Sequence, residues 1–517
     1  MNGWGVFIVL VGLSGLQMIQ ANTPCSATDL CTTGCCGNGG IENNDYICGT
    51  GPTFCGEGNC TSTCDYKAEC NPGGWPSSMY NDTTCPLNVC CSEYGFCGTT
   101  SSFCGDTTVT QPSCDGTSSD ARTIGYYEGW SLERSCQTMD PDQIPLGYYT
   151  HLNYAFAYID QDLSYIISAM DSTTGSLYQE VTALKDKQPD LEVWISVGGW
   201  AFNDAGSTEH TFSDLAASET AQDLFFASLI TFMVNNAFDG IDIDWEYPVA
   251  SDRYGSSVDF DNYVTFLKRL RSALNNSGYL FGISITLPSS YWYMQNFDIV
   301  SIDPIVDWFN IMTYDLHGVW DGDDPYIGAV ALAHTNLTEI KESLDLLWRN
   351  NINPSRVNLG LGFYGRSFTM SDPSCMTAGC PFSGGGREGP CTATSGILSD
   401  VEIRDIIADG ATVTLDEAAA VQIVTWDTNQ WVSYDDATTI KMKIDYANSV
   451  CLGGTMVWAV DLDDTNGTSI NYLGSGLNRT AATIYNDTSL DTSGDLGSSV
   501  ARRSESHLRG HRHHGGL

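Results

Sequence analysis

Basic residues are scarce in this chain. Only 22 Lys and Arg stand against 63 Asp and Glu, giving a formal net charge of −41 and an isoelectric point near 4.1. That imbalance argues against nucleic acid and anionic membrane surfaces as partners, since both repel such a charge. A neutral polymer such as a polysaccharide carries no such penalty. Long apolar runs are also missing: past the N-terminal stretch nothing approaches the ~20 apolar residues of a spanning helix, so no membrane segment is expected. Cysteine is sparse over most of the length, with only five of twenty after residue 115. No Gly-rich dinucleotide fingerprint follows the first candidate strand, which counts against a doubly wound open sheet.

What is present is unevenly distributed. The other fifteen cysteines fall before residue 115, in a stretch poor in large apolar residues. This indicates disulfide-stapled modules made in an oxidising compartment. The apolar run 6–16, followed by the small Ala21, reads as a secretory signal peptide over 1–21. Sequons at Asn59, Asn81, Asn275, Asn336, Asn466, Asn478 and Asn486 fit a glycosylated, secreted protein, extracellular or associated with a cell wall.

At 517 residues the chain suits one large domain plus modules. A Thr/Ser/Gly/Asp-rich segment at 106–120 reads as a linker. After it, strand-like segments at 123–127, 151–157, 192–197, 240–246, 281–287, 308–313, 357–362 and 454–460 alternate with helical ones. Amphipathic helices are expected over 220–237, 258–275, 337–350 and 437–449. Eight alternating pairs predict an α/β fold, a TIM (β/α)8 barrel over 121–470. The long gap before the last strand predicts an insertion at 366–436, and 471–517 reads as a low-complexity, disordered tail.

The most informative stretch is Asp239-Gly-Ile-Asp242-Ile-Asp244-Trp-Glu246. In a strand, Asp242, Asp244 and Glu246 share one face while Ile241, Ile243 and Trp245 pack on the other. Lining up like charges pushes pKa values apart and keeps one carboxyl protonated as a general acid. A hard-cation site is the alternative, but cation loops are polar and Gly-rich rather than strictly alternating.

These residues fill the D-x-x-D-x-D-x-E signature, so the chain resembles glycoside hydrolase family 18, the chitinases, in the fungal arrangement. Ser196-Val-Gly-Gly199 and Met312-Thr-Tyr-Asp315 match two further signatures of that family, in the same order. The resemblance implies a TIM barrel with an α+β insertion between its seventh and eighth strands. It implies a substrate-assisted, retaining mechanism on β-1,4-linked N-acetylglucosamine, by an endo-type chitinase that needs no metal or cofactor. Glu246 would be the acid, Asp244 would orient the acetamido group, Asp242 would share a proton with Asp244, and Tyr314 would donate to the acetamido oxygen. Tyr126, Trp200, Met312, Asp315, Tyr364, Arg366 and Trp458 match substrate-binding positions; Ser196 matches a cleft position, and Asp239 reads as structural.

An internal repeat precedes the barrel: Cys48-Gly-Thr-Gly-Pro-Thr-Phe-Cys55-Gly against Cys97-Gly-Thr-Thr-Ser-Ser-Phe-Cys104-Gly, each after a Cys-Cys pair. Zinc is the competing explanation, but secretion favours disulfides. Both repeats resemble the hevein-type chitin-binding module, a degenerate copy at 22–66 and a fuller one at 67–105. In the second, Tyr94, Phe96 and Phe103 are expected to form an exposed stacking platform, with Ser92 as a hydrogen-bonding partner; the first keeps only Phe54. Hevein-like pairing implies Cys25–Cys36, Cys31–Cys48, Cys35–Cys55, Cys70–Cys91, Cys85–Cys97 and Cys90–Cys104, with Cys60–Cys64 as a fourth bridge in the first repeat. Chitin is thus the expected partner. The alternatives are a non-catalytic chitin lectin, disfavoured by an intact Glu246, and a carrier subunit like that of yeast killer toxins, paired with another secreted chain.

Overall fold

The computed structural model describes residues 23–39, 46–162 and 164–482; the expected signal peptide and most of the expected tail lie outside them. Eight strands form the centre: β1 Arg122–Glu128, β2 His151–Asp160, β3 Glu192–Gly198, β4 Gly240–Asp244, β5 Gly282–Pro288, β6 Trp308–Met312, β7 Val357–Gly362 and β8 Gly454–Trp458. Each pairs in parallel with the next, and β8 pairs with β1, so the sheet closes into a barrel. Helices cover its outside. In Glu219–Asn236, Phe225, Leu229 and Met233 recur at helical spacing and are fully buried, Ser218 caps the N terminus, and left-handed Ala237 ends the helix. β4 is two residues shorter than expected; Glu246 follows its end.

Between β7 and β8 a six-stranded antiparallel sheet begins with the strand Tyr364–Met370 and ends with Gln430–Tyr434. Tyr364 and Arg366 therefore stand on the first strand of this insertion, beside the barrel mouth.

Two expectations need correction. The segment 106–120 is not a free linker: Gln111 Nε2 donates to Asp345 at 3.0 Å, Cys114 is bridged to Cys451, and the Ser119 amide donates to Asn448 Oδ1 at 2.9 Å. Its composition is that of a flexible chain, but these side-chain partners pin it. Residues 471–482 are not a loose tail either. The helix Thr468–Gly476 buries Ile470 and Leu473, and Leu477 follows at its end. These apolar residues are sparse among Ser, Asn and Gly, which hides the helical period.

All twenty cysteines are bridged. The front end holds Cys25–Cys36, Cys31–Cys48, Cys35–Cys55, Cys60–Cys64, Cys70–Cys91, Cys85–Cys97 and Cys90–Cys104. Cys114–Cys451, Cys136–Cys391 and Cys375–Cys380 complete the set, pairs that the sequence left open.

Candidate active site

Asp242 and Asp244 point inward from β4 because residues two apart share a face. Asp242 is fully buried. Its Oδ2 accepts from the hydroxyls of Tyr126 and Ser196, both at 2.8 Å, and its Oδ1 accepts from the Ser284 hydroxyl at 2.6 Å and Asn310 Nδ2 at 3.1 Å. Asn310 also donates to the Tyr126 oxygen at 3.0 Å and accepts from Asn358 Nδ2 at 2.9 Å. Barrel register explains the meeting: Ser196 lies beside Asp242, Asp242 beside Ser284, and Asn310 beside Asn358 on neighbouring strands. Burial pushes the Asp242 carboxyl up, and these four donors pull against it without cancelling the rise.

Asp244 lies one layer nearer the mouth. The Thr286 hydroxyl donates to it at 2.6 Å. Burial raises its carboxyl far above the usual range, and the Glu246 and Asp242 charges add to the rise. The charges of Glu246 and Asp242 thus both resist ionisation of Asp244 in this buried site.

Glu246 is 7% exposed. Burial is the largest cause that brings its carboxyl up to about 7; the Tyr247 hydroxyl and the Arg253 guanidinium oppose the rise, while Asp315 and Asp204 support it. The arrangement holds a protonated carboxyl near neutral pH at the open end of an acidic row. Arg253 is itself buried. It donates to the Glu246 carbonyl at 2.9 Å and to Asp204 at 2.8 Å, and its guanidinium lies 3.6 Å from the Trp200 ring centroid. It thereby joins the loop after β3 to the residue that ends the row.

The end of β6 contributes Met312, Tyr314 and Asp315, all half-buried. The Tyr314 hydroxyl lies 3.8 Å from the Met456 sulfur. Asp315 adopts a left-handed φ of 56°. Its carboxylate accepts from the Tyr364 hydroxyl at 2.5 Å and from Arg366 Nε at 2.7 Å, with a second Arg366 bond at 2.5 Å. Burial would raise this carboxyl, but Arg366, with His334, holds it well below the usual carboxylate range. At the end of β8, Trp458 stacks on Phe156, with ring centroids 5.7 Å apart and planes at 23°; Tyr126 and Trp130 flank it at 5.7 and 6.3 Å. Trp200 is half exposed at the rim.

The structure thus gathers Tyr126, Asp242, Asp244, Glu246, Met312, Tyr314, Asp315, Tyr364, Arg366 and Trp458 at the C-terminal ends of the strands, with Trp200 at the edge. Asp239 lies apart, paired with Lys185 at 2.8 Å and accepting from the Val193 amide. Ser284, Thr286, Asn310 and Arg253 were missed. Ser284 and Thr286 had a signal, since they alternate with apolar residues along β5 as Asp242 and Asp244 do along β4; Asn310 is a lone polar residue in the apolar β6. Arg253 sits in a loop and had none.

The front end differs from expectation in one respect. Tyr94 is 40% exposed, but Phe96 is only 7% exposed and Phe103 is half-buried against Gly98. Ser92 is buried, and its hydroxyl accepts from the Phe96 amide at 3.2 Å. A core this small uses Phe96 and Ser92 to hold the loop, leaving Tyr94 as its open aromatic.

Comparison with known proteins agrees with this geometry. The family described as "Glycosyl hydrolases family 18" matches residues 122–463, and "Chitin recognition protein" matches 77–114. "Secreted chitinase LysM12" of Penicillium expansum is 31% identical over 77% of this chain and 29% of its own length. "Killer toxin subunits alpha/beta" of Kluyveromyces lactis is 38% identical over 66% of this chain and 30% of its own. This chain therefore spans under a third of those two relatives. The crystal structure of the Ostrinia furnacalis Group IV chitinase in complex with allosamidin superposes with a TM-score of 0.63 at 28% identity, covering 69% of this chain and 98% of that one. Among the described residues no helix is long and apolar enough to cross a membrane. With most of its length matched and a chitin recognition domain ahead of the closed barrel, the chain belongs to glycosyl hydrolases family 18.

Proposed function

We propose that this protein is a secreted, endo-acting chitinase that cleaves β-1,4-N-acetylglucosamine linkages with retention, by substrate assistance. The observation that supports this reading is the buried row Asp242, Asp244 and Glu246, in which burial raises all three carboxyls and brings the outermost up to about 7. A glycosidase usually sets two carboxyl groups on opposite sides of the scissile bond. Here the row lies on one strand and its immediate end, which suits an attack by the substrate's own 2-acetamido oxygen on the anomeric carbon.

In this reading Glu246 protonates the glycosidic oxygen as the bond to the leaving sugar breaks. Asp244 accepts from the acetamido N–H, and its charge balances the oxazolinium that forms. Asp242, held by its four donors, takes up the proton that Asp244 releases. Water, deprotonated by Glu246, then opens the ring of the intermediate, and the anomeric configuration is retained. Tyr314 donates to the acetamido oxygen, Asp315 and Arg366 hold hydroxyls, and Trp458 supplies the apolar floor. Product analysis on colloidal chitin with anomer detection tests all of this together. β-Anomeric oligomers support it; α-anomers or no cleavage overturn it.

A second reading, a carrier subunit like that of a killer toxin, has support in the 38% identity to the Kluyveromyces lactis protein. It has less support from the cysteines, because all twenty are paired within the chain and leave no thiol for a bond to a partner. Non-reducing electrophoresis of the secreted material separates the two.

A further inference from the structure

The second repeat is fixed to the barrel. Asn88 Nδ2 donates to Asn350 Oδ1 and Asn350 Nδ2 donates to the Leu87 carbonyl, both at 2.9 Å. Arg349 donates to the Asn88 carbonyl at 3.4 Å. Gln111 and the Cys114–Cys451 bridge then tie down the strap that follows. Leu87, Cys91 and Cys97 pack against the same apolar cluster as the barrel.

The position of that dock matters. Tyr291 and Tyr293 belong to the short helix Tyr291–Met294 that follows β5 on the mouth side of the barrel. Towards the centre, the Tyr293 ring lies 4.3 Å from that of Tyr247, the neighbour of Glu246. Towards the repeat, Tyr291 lies within electrostatic reach of Glu69. Glu69 is built into the sugar-binding loop: its amide donates to the Gly95 carbonyl at 2.9 Å, and its carboxylate accepts from the Cys97 amide at 2.8 Å. Between these two ends stands Trp292, 37% exposed, and on the loop itself Tyr94, 40% exposed. Aromatic faces of this kind stack on the apolar faces of pyranose rings, and they cost solvation unless something covers them.

We propose that the docked second repeat extends the substrate cleft, so that a chitin chain leaving the Glu246 centre past Tyr247 and Tyr293 continues over Trp292 to Tyr94. One rigid surface then reads a chain longer than the barrel alone holds, in place of a tethered anchor that binds anywhere within reach of its linker. The inference rests on the chitin-hydrolase reading above.

The test uses the full chain in a Glu246→Gln background, with affinity measured for chitin oligomers of increasing length. Affinity is expected to keep rising beyond the length that fills the barrel cleft. Trp292→Ala should remove about fivefold of affinity for the longest oligomers. Arg349→Ala with Asn350→Ala should flatten the same length dependence and enlarge the radius of gyration seen by small-angle scattering. Arg349 and Asn350 lie outside the catalytic centre, so with Glu246 restored these two changes should leave turnover of a short oligomer as it was, which also reports a folded barrel. An unchanged length dependence in both variants overturns the proposal. Failure of the unmodified chain to cleave any short oligomer brings down the functional reading first, and this inference with it.

Discussion

Asp244 and Asp315 stand at the ends of β4 and β6, facing one cleft, yet their carboxyl groups move in opposite directions. Asp244 is buried beside two other carboxyls with a neutral hydroxyl from Thr286 for company, and it holds its proton far above the usual range. Asp315 receives a forked guanidinium from Arg366 and a phenol from Tyr364, and it loses its proton far more readily than a free carboxyl. The same residue type is thus a proton store in one place and a fixed charge in the other. The partner decides: a hydroxyl stabilises either protonation state, whereas a guanidinium stabilises only the anion.

Breaking the β4 side should have the largest effect. Glu246→Gln keeps the shape but removes the transferable proton, so turnover should fall by ~10²–10⁴-fold while oligomer binding stays near that of the unmodified chain. Steady-state rates on a soluble oligomer check this, and a loss below threefold removes Glu246 from the role of acid. The same change has a stability signature. The carboxyl titrates near 4.5 when unfolded and near 7 when folded, so its contribution is fully present below about 4.5 and is lost as pH rises through 7. The variant lacks that loss. Its melting temperature should therefore exceed that of the unmodified chain increasingly from pH 4.5 to 7, by the equivalent of up to about 3 kcal/mol.

Asp244→Asn should cost about 10²-fold if the proposed mechanism holds, since an amide would still reach the acetamido group but could not balance the charge that develops on it. If oligomers lacking N-acetyl groups are cleaved as fast as chitin oligomers, the substrate's acetamido group is not the nucleophile.

On the β6 side the expected effect is smaller and lies in the pH profile. Asp315 is one of the charges that raise Glu246. Asp315→Asn removes that charge, eases ionisation of the acid and should move the alkaline limb of kcat to lower pH. A limb that stays in place, or moves up, shows that the two carboxylates do not sense each other.

The barrel was legible because eight strand-like segments alternate with helical ones; β2 and β3 are near-continuous apolar runs, whereas β4 and β5 alternate apolar with polar residues. The acidic row was legible because its period of two is visible within one strand. What could not be read depends on neighbours in space. Ser284 acquires meaning only when the register sets it beside Asp242, Asn310 only when the closed barrel brings it to the same carboxylate from two strands away, and Arg253 only when a loop folds back onto Glu246. At the front end, the pull of a small core on Phe96 was underestimated. The strap at 106–120 looked free because its anchors, Asp345, Asn448 and Cys451, lie more than 200 positions away.

The smallest effect is expected furthest from both carboxylates, and it serves as a control on the comparison. Tyr94 touches neither β4 nor β6, so Tyr94→Ala should leave both pH limbs where they are. It removes the open aromatic of the second repeat, and one stacking contact of about 1 kcal/mol corresponds to roughly fivefold in binding. Adsorption isotherms on insoluble chitin should weaken by that factor, and digestion of the solid should slow in proportion. Turnover of a short soluble oligomer, which fits within the barrel cleft, has no reason to change. Phe54→Ala in the first repeat should leave adsorption unaltered, because the positions there that correspond to Tyr94 and Phe96 are Asp45 and Ile47. If Tyr94→Ala instead shifted the alkaline limb, the repeat would be acting on the acid through the dock at Tyr291, and the pH behaviour could no longer be assigned to the two carboxylate environments alone.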